Sequence, residues 1–202
     1  MRIVIDGASG SGKTTFLSCN YLSILRKERS QRTINIASLG YPVFSEMMQG
    51  AVNEAKELKI IPPIKKSDWN QLFYIIYKKG IEQFNAAENG KISWYDRGLH
   101  FLKAFADINN FKLPEKIYSE IKNYKYDYVF VFKPIDEFDL SMPNNGKFGP
   151  MSLSDRYKEF QAIIESYQEF GHSIFIVPVF SNNLEENFEK RLLFIKERVS
   201  CL

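Results

Sequence analysis

The sequence has little cysteine: Cys19 and Cys201 are the only two in 202 residues, far apart and without metal-ligand spacing. That argues against a disulfide framework or a zinc site and fits a reducing compartment. An excess of one charge is also missing. The 27 Lys and Arg against 24 Asp and Glu leave a net charge of +3, too even a balance to attract nucleic acid by electrostatics alone. No apolar run approaches the length of a membrane span, and the one at residues 2–5 is too short for a signal peptide, so a cytoplasmic protein with no membrane partner is expected. There is no Asn-Lys-x-Asp motif, which disfavours a conventional GTPase. No linker, repeat or composition shift divides the chain, so a single domain over residues 1–202 is expected.

What is present begins at once. Residues 2–6 are a short β-branched run, followed by Gly7-Ala8-Ser9-Gly10-Ser11-Gly12-Lys13-Thr14 and then by helical spacing of Phe16, Leu17, Tyr21, Ile24 and Leu25 over residues 14–28. The octapeptide fits G-x-x-x-x-G-K-[ST], a match that average glycine usage gives by chance in roughly one chain of this size in a hundred. Its context is the one a phosphate loop needs. A strand must lead in and a helix must open, because unpaired amides and a partial positive charge at the helix start receive phosphate oxygens. Glycines let the backbone approach, Lys13 is placed to reach the β- and γ-phosphates, and the Thr14 hydroxyl to ligate Mg²⁺. Thr15 lies near the α-phosphate or simply starts the helix. Asp6 supports the magnesium shell or occupies the strand end, and the structural role is the preferred one.

Further along, the pattern predicts a second strand at 33–37, ended by Gly40 and Pro42, and a helix to about residue 58 that the prolines at 62 and 63 follow. Ser67 is a candidate N-cap for a long helix to about residue 88, with Trp69, Phe73, Tyr77 and Phe84 on its core side. A third strand at 92–95 ends in Asp96-Arg97-Gly98, and short helices are expected at 99–108 and 114–124. The near-continuous apolar run at 128–132 reads as a strand buried on both faces of a parallel sheet. Residues 135–151 carry no periodicity and are expected to form a lid loop. A helix capped by Ser152 or Ser154 to residue 170, a fifth strand at 173–178 and an amphipathic helix at 183–199 complete an alternating order. That order predicts an α/β, three-layer P-loop NTPase fold: a parallel sheet of about five strands flanked by helices, with ligands at the carboxyl ends of the strands.

Metal-assisted phosphoryl transfer needs a carboxylate near the magnesium or the nucleophile, and Asp96 stands at such a strand end. Arg97 beside it is placed to hold an anionic substrate group. Arg156, opening the helix after the lid, is a candidate to neutralise transition-state charge, with Lys133 as a second cation. Asp127 falls at the amino end of its strand, the wrong face for catalysis. His100 and His172 show no partner pattern.

Taken together, these residues resemble the small AAA-type P-loop family that includes the nicotinamide riboside kinase domain, and nucleoside and nucleotide kinases more widely. The resemblance implies ATP as donor, a lid over the nucleotide, and roles for Glu46 and Gln71 toward the substrate beside Asp96, Arg97 and Arg156. Two positions depart from it: Gln49 stands where the family has arginine, and Phe101 where it has aspartate. The implied function is a kinase moving the γ-phosphoryl group of ATP, with Mg²⁺, to a nucleoside-like acceptor, for which Trp69, Phe73 and Tyr74 are candidate stacking residues. The alternatives are a nucleotide-dependent switch acting on a protein partner and, less favoured because Lys65-Lys66 and Lys78-Lys79 are small patches, a polynucleotide kinase.

Overall fold

A computed structural model describes residues 1–17, 36–39, 41–44, 47, 51, 54–55, 57–60, 65–135 and 152–199. The strands are β1 (Arg2–Gly7), β2 (Val43–Phe44), β3 (Ser93–Asp96), β4 (Tyr128–Phe132) and β5 (Ile174–Val177). They form one sheet in the order β2-β3-β1-β4-β5, every neighbouring pair parallel. The helices are α1 (Lys13–Leu17), α2 (Trp69–Ala86), α3 (Phe101–Ile108), α4 (Glu115–Ile121), α5 (Leu153–Glu169) and α6 (Leu184–Lys196). Strands and helices therefore alternate as the sequence pattern predicts, and the sheet has five strands.

Side chains alternate across a strand, so the sheet splits the apolar residues into two cores. On one face Val4, Tyr95, Val129 and Val131 meet α2, α3, α4 and α5, including Phe73, Leu102, Ile117 and Ile163. On the other, Ile3, Ile5, Trp94, Phe130 and Phe132 meet Phe16 and Leu17 of α1 and Phe188 and Ile195 of α6. Both faces of β1 and β4 are thereby covered, which explains why their sequences read as continuous apolar runs. Met47, Ala51 and Ala55 are helical and buried at one-turn spacing, in agreement with the helix expected to residue 58.

Several boundaries differ from expectation. Residues 33–35 lie outside the described residues, and Ile36 and Ala37 form a turn and the start of a 3-10 helix, Ala37–Leu39; the strand is at Val43–Phe44 instead. The β-branched run that suggested a strand is followed by a proline, and pairing begins just beyond it, where Trp94 N–H donates to the Pro42 carbonyl at 3.0 Å. Of the helix expected at 14–28, Lys13–Leu17 is described and residues 18–28 lie outside. Ser67 does not cap α2: it sits in the 3-10 turn Lys66–Asp68 and its hydroxyl bonds Asp68 Oδ1 at 2.8 Å. Ser152 does cap α5, accepting from Asp155 N–H at 3.1 Å, and Asn183 caps α6 by accepting from the amides of Glu185 and Glu186, both at 3.0 Å. The expected lid, residues 135–151, lies outside the described residues apart from Ile135.

His100 and His172 are core residues. Their rings meet edge to face with centroids 4.4 Å apart, boxed by Tyr126, Tyr167 and Phe170. Burial lowers the His100 pKa from 6.5 to about 3, with the His172 and Lys125 charges acting in the same direction; His172 is lowered too, first by burial and then by Lys125. For a base whose folded pKa is depressed, the unfolded chain binds the extra proton first, so stability is lost as pH falls below about 6.5. His100, with its large shift, should contribute a slope of about 1.4 kcal/mol per pH unit at its steepest, and His172 acts in the same direction. Urea denaturation between pH 7.5 and 5 should show this loss, and His100→Phe should flatten it; an unchanged slope would remove His100 as its source.

Candidate phosphate site

Sheet order places the carboxyl ends of β1, β3 and β4 side by side, and Gly7, Asp96 and Phe132 are the residues that arrive there. Gly7 has φ +141°, and a Cβ at this position would come within 2.5 Å of the Phe132 carbonyl, so the loop leaves β1 along a path open only to glycine. The Ser11 amide closes a turn onto the Ala8 carbonyl at 3.2 Å, and Phe16 N–H bonds the Gly12 carbonyl as α1 begins. Lys13 is buried, its Nζ donating to the carbonyls of Gly7 and Ala8 at 2.8 and 3.0 Å. Burial lowers its pKa and the Arg97 charge adds to this, while Asp96, Glu159 and Asp6 oppose the change. Of Thr14 and Thr15 only the helical backbone is described.

The Asp96-Arg97 pair divides between the two faces of the sheet. Asp96 follows the strand alternation onto the Trp94 side, the side of α1, and is buried. Arg97 adopts φ +70°, and its guanidinium turns to the opposite side, over the Phe101 ring. There its Nη1 pairs with Asp6 Oδ1 at 3.0 Å and its Nη2 with Glu159 Oε1 at 3.1 Å, in side chains at most 7 % exposed. Arg97, expected to hold an anionic substrate group, is held here by two protein carboxylates. The aromatic residue at position 101 also gains a reason, since it lies beneath this guanidinium.

The two carboxylates in turn hold the loop. Asp6 Oδ1 accepts from the Gly7 amide at 2.7 Å, and its Oδ2 accepts from the Tyr167 hydroxyl at 2.9 Å. The same Tyr167 oxygen accepts from the Gly98 amide at 2.9 Å, tying the Asp-Arg-Gly turn to α5. Glu159 Oε2 accepts from the Ser9 amide at 2.8 Å. Burial pushes the Asp6 carboxyl up, Arg97 and Lys13 offsetting only part of it. Burial works the same way on Glu159, but there Arg97, Lys13 and the Ser9 amide outweigh it and hold the carboxyl below its ordinary range.

Other candidates are placed as follows. Arg156 is buried in the first turns of α5, its Nη1 donating to the Ile135 carbonyl at 2.8 Å. Lys133 is exposed at the end of β4. Asp127 lies at the opposite end of the sheet, where Oδ2 accepts from the Arg2 amide at 2.6 Å. Gln71 is exposed on α2 and Glu46 lies outside the described residues. Trp69 and Phe73 pack with Phe105 and Phe111 in the core, whereas Tyr74 is exposed. Sequence reasoning missed Glu159, Tyr167 and Arg191. Nothing in their local pattern sets them apart from helix-surface polar residues; only the packing of α5 and α6 against the loop does.

Residues 2–187 match the family described as AAA domain. The chain belongs to that family. No curated protein matches the sequence. The AAA domain resembles, in its fold, the deoxyadenosine kinase from M. mycoides with bound dATP, at 16% identity over 99% of this chain and 100% of that one, with a TM-score of 0.55. It likewise resembles thymidylate kinase from Ehrlichia chaffeensis, at 15% identity, 98% of each chain and a TM-score of 0.58. A NadR protein in complex with NR aligns at 17% identity and a TM-score of 0.60, all of the AAA domain spanning 52% of that chain. The P-loop NTPase fold is the common element. No helix among the described residues is long and apolar enough to cross a membrane.

Removing one partner of a buried ion pair strands the other, at a cost of about 3 kcal/mol or more. Glu159→Ala should lose about that much in urea denaturation and Glu159→Gln, which keeps an acceptor for the Ser9 amide, clearly less. Equal losses from the two variants would show that the charge on Glu159 carries the whole effect and that a neutral acceptor for the Ser9 amide contributes nothing.

Proposed function

We propose that this AAA domain is an ATP-dependent kinase of small molecules, transferring the γ-phosphoryl group to a hydroxyl of a nucleoside-like acceptor. The observation that carries the reading is the convergence of the phosphate loop, the buried Lys13 and the buried Asp96 at the carboxyl ends of adjacent strands. A carboxylate beside the loop lysine suits metal-assisted phosphoryl transfer, which needs an acid near the magnesium or the attacking hydroxyl.

In this reading, loop amides and Lys13 bind the β- and γ-phosphates, the lysine exchanging its contacts with the Gly7 and Ala8 carbonyls for phosphate oxygens. The donor set suits Mg²⁺, a hard cation held by one or two protein oxygens together with phosphate oxygens: the Thr14 hydroxyl and the Asp96 carboxylate would hold it. Bound there, the ion would neutralise charge on the transferring group. Asp96 is also the group placed to accept the acceptor's hydroxyl proton as the new oxygen–phosphorus bond forms and the bond to the ADP leaving group breaks. Arg156, tied to Ile135 at the base of the 136–151 segment, supplies positive charge at its root. The proteins sharing the fold, described with dATP, AMP-PNP or NR, support a nucleotide donor and a nucleoside-like acceptor. We place the enzyme in the cytoplasm.

Magnesium-dependent ADP formation should appear with wild type and one or more members of a nucleoside and nucleoside monophosphate panel that includes nicotinamide riboside. Lys13→Ala should abolish it, and Asp96→Asn should reduce acceptor-dependent turnover by about a hundredfold or more, the scale of general-base catalysis. Turnover that no acceptor stimulates would refute the kinase. ATP binding without turnover would instead favour a nucleotide-dependent switch.

A further inference from the structure

Arg191 of α6 is unlike Arg97. Arg97 is matched by two carboxylates, whereas Arg191, only 2 % exposed, has none among the described residues. Its Nη1 donates to the Ser11 carbonyl at 2.7 Å and its Nε to the Pro178 carbonyl at 3.3 Å, and its carbon lies 4.3 Å from the centre of the Phe132 ring. The Nη2 nitrogen is buried and has no hydrogen-bond partner among the described residues. Gly12, with φ +85°, makes room: a Cβ there would stand 3.1 Å from Nη1. A full positive charge is therefore packed directly against the Ser11-Gly12-Lys13 stretch, on the α1 face of the sheet.

Such a charge is costly to keep dry, and an aromatic face offsets only part of that cost. Burial with no opposing charge brings the guanidinium down to about 10. Holding two carbonyls needs donors but not charge, and a neutral amide would serve. The surplus positive charge makes physical sense only if an anion comes to the loop from outside, and the loop is built to receive a polyphosphate.

We infer that Arg191 is a positioning residue of the nucleotide site, fixing the Ser11 carbonyl and supplying the counter-charge that a bound polyphosphate requires. This rests on the nucleotide reading above and adds to it a residue outside the loop motif, together with a rule: the contribution of Arg191 should grow with the number of phosphates on the ligand.

Isothermal titration of the full chain with ATP, ADP and AMP, for wild type, Arg191→Gln and Arg191→Lys, tests it. The glutamine variant should weaken ATP binding on the order of tenfold, ADP less and AMP least, with the lysine variant recovering most of the ATP affinity. The same factor for all three nucleotides, or no change, would reduce Arg191 to a structural bracket and overturn the inference. Should circular dichroism show that Arg191→Gln does not fold, Arg191→Lys decides alone: ATP affinity within about threefold of wild type supports the role of charge, and an equal loss across the three ligands refutes it. Wild type that binds none of the three would refute the nucleotide site itself, a failure visible before any substitution is compared.

Discussion

One guanidinium between two carboxylates holds the phosphate site in register. Arg97 joins Asp6, at the end of the central strand, to Glu159 on a helix 62 residues further along the chain. Each carboxylate also takes a backbone amide of the loop, so the pair fixes where Gly7 and Ser9 point. In low-dielectric surroundings such a bridge is strong only when every partner is in place, which makes it a cooperative element and not a sum of separate contacts. The left-handed backbone at Arg97 fits this picture: strain at one residue persists because its surroundings fix it from several sides.

The bridge also explains how two adjacent residues serve different purposes. Asp96 stays with the α1 face, beside the loop lysine, and Arg97 crosses to the α5 face. The two neighbours thus face different surroundings, and Arg97 is the one that ties the loop to α5.

Much of this was legible in the chain itself. The alternation of strands and helices, the phosphate loop and the arrival of Asp96 beside it follow from periodicity and from the rule that ligands gather at strand ends. The roles within the charge cluster were not. Asp6 reads as structural at its strand end, but nothing local shows that its partner is Arg97, and Arg97 reads as a substrate residue because its partner Glu159 lies in a helix whose local pattern gives no sign of it. The strand at Val43–Phe44 escapes a sequence reading because two residues leave too short a pattern to compete with the β-branched run before it. Long-range pairs are set by packing, and no window of sequence contains both members.

The bond from Arg156 to the Ile135 carbonyl joins residues 21 apart in sequence and has a consequence for how such proteins diversify. It fixes both ends of the intervening stretch to the rigid frame, next to the phosphate loop but outside its network. Closing a longer stretch between fixed ends costs little extra entropy, so insertions or exchanges there are thermodynamically cheap. Exchanges in that stretch can therefore leave the network of Arg97, Asp6 and Glu159 beneath the phosphate loop unaltered.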